Sequence, residues 1–247
     1  MSRFSTSLAQ LSSSQKAAKG VSPYSRFINR PAGRVAAALG HQIGMSPNQM
    51  TLASTVCTFS AITVLAVAAP SWIAGIVIAA LLILGFILDS ADGQLARLTG
   101  TSSASGEWLD HVVDCARSVL VHSAVLISFY RFFTLAGEWV LLVPLVFQFA
   151  AVVLFVAGTL AALLKRSAGQ RAPASPPSLP RSIALLPADF GILAVSFVLL
   201  GANQLFVVVY SVLAGIQLVL LVTLGVKWFS ELQRPMTRPP PRSASLW

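Results

Sequence analysis

Six apolar runs follow one another along this chain, at 49–69, 72–96, 108–130, 138–164, 184–201 and 204–228. Each is near the roughly 20 residues that cross about 30 Å of hydrocarbon. Inside hydrocarbon every backbone N–H and C=O needs a partner within its own segment, which selects the α-helix. Only 10% of the 247 residues are charged and 55% are hydrophobic, with a mean hydropathy of +0.77. Soluble domains carry about 25% charged residues. The expected fold is therefore all-α and integral to a membrane. It has six transmembrane helices, an N-terminal interfacial helix and both termini in the cytoplasm.

The placement of charge sets that orientation. Residues 1–46 contain Arg3, Lys16, Lys19, Arg26, Arg30 and Arg34 and no acid. Lys165, Arg166, Arg171 and Arg181 fall between runs four and five, and Lys227, Arg234, Arg238 and Arg242 near the C-terminus. The turns after runs one, three and five are short, and only Arg131 adds a positive charge there. By the positive-inside rule the basic ends are cytoplasmic. The net charge of +9 is thus a feature of topology and does not signal a nucleic-acid partner. Three parts are expected: a basic segment 1–46, a six-span domain 47–230, and a Pro/Arg-rich tail 231–247. Residues 1–20 lack the apolar core of a secretory signal. Within 21–44, Tyr24, Phe27, Ile28, Val35, Leu39 and Ile43 interleave with Arg26, Arg30 and Arg34. This reads as an interfacial helix broken near Pro31, or as a basic flank that only serves topology. Pro47 starts run one, where its missing N–H costs nothing. Residues 167–180 and 232–247 read as loose. Cys57 and Cys115 lie in apolar runs and read as free thiols.

The acids are unevenly placed. Of eight, five fall between positions 89 and 114: Asp89, Asp92, Glu107, Asp110 and Asp114. Ionisable groups in spans are costly and mark function. Asp89, Gly93 and Arg97 are successive i+4 neighbours, and Asp92 and Ala96 lie on the same helix face. Asp110 and Asp114 share a face of the next run, with Glu107 one turn earlier. The intervening residues 99–106 are few enough to hold the two runs antiparallel, so that four carboxylates surround one volume. Small hard cations take oxygen ligands of this kind and share them with phosphates. Two ions suit displacement at phosphorus. Arg97 can add a bidentate phosphate contact, and Gly93 and Ala96 leave room for a ligand. The competing reading is an interhelical ion-pair network.

The run from Asp89 to Asp114 reads D-x2-D-G-x2-A-R-x8-G-x3-D-x3-D. It resembles the signature of the CDP-alcohol phosphotransferase family, with all fixed positions filled: Asp89, Asp92, Gly93, Ala96, Arg97, Gly106, Asp110 and Asp114. Pro47-Asn48-Gln49-Met50-Thr51 resembles the P-N-x-x-T start of that family's first span. The resemblance implies transfer of a phosphoalcohol unit from a CDP-alcohol, often CDP-diacylglycerol, to a second alcohol with release of CMP. It implies Mg²⁺ or Mn²⁺, two ions, on Asp89, Asp92 and Asp110, with Asp114 completing the second position and serving as general base. It implies a CDP site lined by Gly93, Ala96, Arg97 and Gly106, with Asn48 and Thr51. It also implies a homodimer, and phospholipid synthesis at an inner (plasma) membrane with the site facing the cytoplasm.

The acceptor alcohol is less defined. Cations placed to bind a phosphorylated acceptor are Arg117, Lys165 and Arg166. Arg117 can instead pair with Asp114 or Glu107, and Lys165-Arg166 can simply stop the span. Residues 25–31 loosely resemble the stretch before the first span in members that use inositol phosphate-type acceptors. Leu186-Pro187-Ala188-Asp189-Phe190 lacks the arginine expected of inositol-phosphate or glycerophosphate enzymes. Asp189 reads as a helix cap. His122 reads as a core residue, His111 as a packing or supporting residue, and His41 as part of the basic flank. A membrane prenyltransferase would need a second aspartate-rich motif, which Glu138, Asp189 and Glu231 do not supply. A cation transporter would place acids at mid-membrane on several spans.

Overall fold

A computed structural model of the chain describes residues 3–13, 22–168 and 179–233. Residues 169–178 and 234–247, and Lys16 and Lys19, lie outside the described residues. The described residues contain helices and no strand. Among the described residues nine α-helices follow in order: α1 Arg3–Ser13, α2 Arg30–Gln42, α3 Pro47–Val67, α4 Trp72–Thr99, α5 Ala104–Phe132, α6 Leu142–Ser167, α7 Leu179–Ala184, α8 Phe190–Ser196 and α9 Asn203–Leu232.

Local chemistry explains the boundaries. Ser46 caps α3: its hydroxyl accepts from the Gln49 N–H at 3.2 Å, and the Gln49 side chain accepts from the Ser46 N–H at 2.8 Å. This reciprocal box precedes Pro47 at the first helical position. Ser71 and Ser103 cap α4 and α5 with their hydroxyls alone, accepting from the Ala74 and Gly106 N–H groups at 3.1 Å. Gly100, at φ +68°, ends α4 in the left-handed conformation that glycine adopts without cost. The α4–α5 link is therefore only Gly100 to Ser103, and both helices extend beyond their apolar runs. The signature residues thus lie on regular helix.

α3, α4, α5, α6 and α9, the last four with 28, 29, 26 and 30 residues, carry the apolar spans. Among the described residues, five helical stretches are long and apolar enough to cross a membrane, and only 22% to 39% of each apolar window is buried. The remaining apolar surface, including Ile73, Phe149, Val222 and Phe229, faces outward. Such surface is stable when the surrounding solvent is lipid, and the chain is a multi-pass membrane protein. The fifth expected span is not one straight helix. Ser182–Ala188 and Phe190–Gly201 meet at a 50° bend, and the count reaches six when this pair is taken as one span. The bend falls at Asp189, just after Pro187, where an extended residue interrupts the helix.

The N-terminal segment also differs from expectation. There is no break at Pro31. The chain is helical from Pro23 to Gln42, with a wide π turn at Ser25–Asn29 in which the Arg30 N–H reaches back to the Ser25 carbonyl. A proline has no N–H to offer, and the widened turn just before it absorbs the mismatch. α1, which was not expected, packs Leu11, Phe4 and Leu8 into a small core with Ala37, Ala38, Met50, Ala91 and Leu95. The larger core lies among the spans toward the other end of α5, where Phe129, Phe147, Phe197, Phe206 and Tyr210 pack together. α4 is the central element, contacting α2, α3 and α8.

Candidate active site

α4 and α5 are joined by the short link and both pack on α3, and their aspartate side chains converge between them. Oxygens of Asp89, Asp92 and Asp110 lie within 4.8 Å of one another, and so do ligand atoms of Asp110, His111 and Asp114. All four aspartates line one cavity of about 180 Å³, together with Arg30 and Arg97. A larger cavity of about 340 Å³ adjoins it, and Asp92, Gly93, Arg97 and Asp110 line both. All six residues expected at a CDP site, Asn48, Thr51, Gly93, Ala96, Arg97 and Gly106, line this larger cavity.

Asp92 is fixed from two sides. The Thr51 hydroxyl donates to its Oδ2 at 2.6 Å, and its Oδ1 accepts from the Gly93 N–H. Thr51 is itself buried, so its place in the P-N-x-x-T start is to hold Asp92 as well as to line the cavity. The glycines of α4 differ in kind. A Cβ at Gly75 would meet the Phe197 carbonyl oxygen at 2.5 Å, and one at Gly85 would meet the Thr58 Oγ1 at 2.2 Å. Both serve helix packing. A Cβ at Gly93 would meet only the Arg97 Nη1, at 3.5 Å. Gly93→Leu should therefore fold while filling the cavity, and CDP affinity measured by calorimetry in detergent should drop at least about tenfold. Unchanged affinity would assign Gly93 to packing.

The carboxylates suit a hard divalent cation. The Asp89, Asp92 and Asp110 donors are all oxygen, and the Asp89 Oδ1 is buried without a hydrogen-bond partner. An unpartnered buried carboxylate oxygen is costly unless a cation meets it.

The three cations expected to meet a phosphorylated acceptor each have an acidic partner. Arg117 is buried and pairs with Asp114, and its Nη1 lies 3.7 Å from Asp89. Glu107, its other expected partner, is instead paired with Arg166 at 3.2 Å at the exposed rim of the larger cavity. Lys165 pairs with Glu231 on α9 and lines neither cavity. Asp189 caps α8 as expected, accepting from the Gly191 N–H at 2.8 Å. Its other oxygen also accepts from the Ser22 hydroxyl and, at 2.6 Å, from the Ser25 hydroxyl. This ties the N-terminal segment to the bent span. Tyr24 lies over Gly191, where no larger residue would fit, and burial together with the Asp189 charge raises its phenol above the usual value.

His122 is a core residue, with its Nδ1 2.6 Å from the Tyr210 hydroxyl. The His41 Nδ1 lies 3.0 Å from the Ser7 hydroxyl on α1. His111 packs edge-on against Phe155 and also shares the cation-sized grouping with Asp110 and Asp114. Sequence spacing did not bring Arg30 to the acidic cavity. It arrives there because α2 packs on α4, where Gln94 donates to the Arg30 carbonyl at 3.1 Å.

Residues 44–227 match the CDP-alcohol phosphatidyltransferase family. The chain belongs to this family. It is also 37% identical over 89 residues to the archaetidylinositol phosphate synthase of Aeropyrum pernix. That match covers 35% of this chain and 42% of the relative, so the chain spans less than half the length of that protein.

Proposed function

We propose that this protein transfers a phosphoalcohol group, in particular a phosphatidyl group, from a CDP-alcohol such as CDP-diacylglycerol to a small alcohol, releasing CMP, as a step of phospholipid synthesis. The observation that carries this reading is the shared wall of the two cavities. Residues suited to a nucleotide line one side, and four carboxylates line the other. Gly93 and Ala96 leave space for the nucleotide, and Arg97 offers its diphosphate a guanidinium. Asp89, Asp92 and Asp110 would hold Mg²⁺ or Mn²⁺, with Asp114 at a second position. A bound ion of this kind withdraws charge from phosphate oxygens and lowers the pKa of a nearby hydroxyl. Asp114 takes the acceptor's proton as the acceptor oxygen bonds to the phosphorus bearing the alcohol. The bond from that phosphorus to the CMP oxygen breaks in the same displacement.

The catalytic unit in this reading is 47–230, with the site facing the cytoplasm of an inner (plasma) membrane. Both termini share that side, and the protein acts as a homodimer. α2 lies at the membrane–water interface: its inner face packs on α4, while Val35 and Leu39, with Ile28 in the preceding turn and Ile43 just after the helix, stand exposed. The Aeropyrum pernix relative makes a phosphorylated inositol lipid the first product to test.

The test is CMP release by the purified protein from CDP-diacylglycerol with inositol phosphate, glycerol 3-phosphate, inositol and serine in turn. One alcohol should stimulate release well above the hydrolytic background. The absence of stimulation by any alcohol, with CDP-diacylglycerol and then with a second CDP-alcohol, would contradict transferase function.

A further inference from the structure

The buried guanidinium of Arg117 engages the carboxylate that a second metal ion would need. It pairs with Asp114 and approaches Asp89 to 3.7 Å. It is not free to swing on a flexible stem. Its guanidinium carbon lies 4.4 Å from the Phe190 ring centre and 5.6 Å from that of Phe86, and its side chain is 9% exposed. Phe190 is in turn placed by the Asp189 cap, which Ser22 and Ser25 also hold. Aromatic faces stabilise a desolvated cation and restrict its plane. The Asp89–Asp92–Asp110 grouping, by contrast, can form without Asp114.

We propose that in the resting protein Arg117 stands in for the second divalent cation. The chain then holds one ion tightly in the Asp89–Asp92–Asp110 group, and a second binds weakly because it must compete with a tethered guanidinium. This rests on the metal-dependent reading of the site. The charges agree with it. Four carboxylates carry four negative charges, and Arg30 and Arg97 on the cavity wall, Arg117 beside it and one divalent ion already supply five positive ones, so the resting site gains nothing in charge balance from a second ion. A second ion becomes favourable once an anionic diphosphate arrives.

The experiment is Mn²⁺ binding to the full chain in detergent without nucleotide, followed by the electron paramagnetic resonance signal of free Mn²⁺. The wild-type protein should bind one Mn²⁺ tightly and a second at least tenfold more weakly. Asp114→Asn should keep the tight ion within about threefold. Arg117→Gln, checked for an unchanged melting profile, should bring the second site to within a few-fold of the first. Two sites of equal strength in the wild type would overturn the proposal even if Arg117→Gln does not fold. So would loss of the tight ion in Asp114→Asn, or a folded Arg117→Gln with the wild-type isotherm. Absence of any Mn²⁺ binding would overturn the metal reading itself, a result distinct from two equal sites.

Discussion

Asp114→Asn should slow CMP release by about a hundredfold or more, the usual scale for loss of a general base. Asparagine keeps the shape and one oxygen but cannot take a proton. Asp114 lies on α5 one turn beyond Asp110, against the acidic cavity and outside the residues that line the larger one. Nucleotide affinity should therefore change little, and the loss should appear in kcat. Near wild-type turnover would move the base to His111, which shares a grouping with Asp110 and Asp114. Loss of nucleotide binding would make Asp114 chiefly a metal ligand.

Asp110→Asn should be at least as damaging, for a different reason. Asp110 is the one residue common to both cation-sized groupings, and it lines both cavities. Removing groups that merely orient metal ligands already costs about 10–100-fold in affinity or activity. Removing the shared carboxylate should exceed that and raise the Mn²⁺ dissociation constant together with the loss of rate. A wild-type Mn²⁺ isotherm with lost activity would assign Asp110 to the substrate instead.

The site was legible in the sequence because its geometry is local. Asp89, Asp92, Gly93, Ala96 and Arg97 share a face by helical periodicity alone, and a four-residue link turns the chain back so that the Asp110 and Asp114 side chains face the same volume. The helix start at Pro47 was also a local signal. What the sequence left hidden depends on packing between distant segments. Arg30 reaches the acids through the α2–α4 contact, and Thr51 holds Asp92 across 41 positions. Arg117 had two possible acidic partners by spacing, and the fold selects Asp114 and adds Asp89 from another helix. The bend at Asp189 was read as a plain cap because its serine partners lie more than 160 residues away. α1 had a faint signal, Phe4, Leu8 and Leu11 at helical spacing, submerged in a serine-rich stretch.

Metal-dependent transfer at these aspartates is decided by CMP release from CDP-diacylglycerol, measured with the stimulating alcohol present before and after excess chelator and again after Mg²⁺ or Mn²⁺ is restored. Release should fall to background in chelator and return with the metal. Full activity in excess chelator would contradict the account.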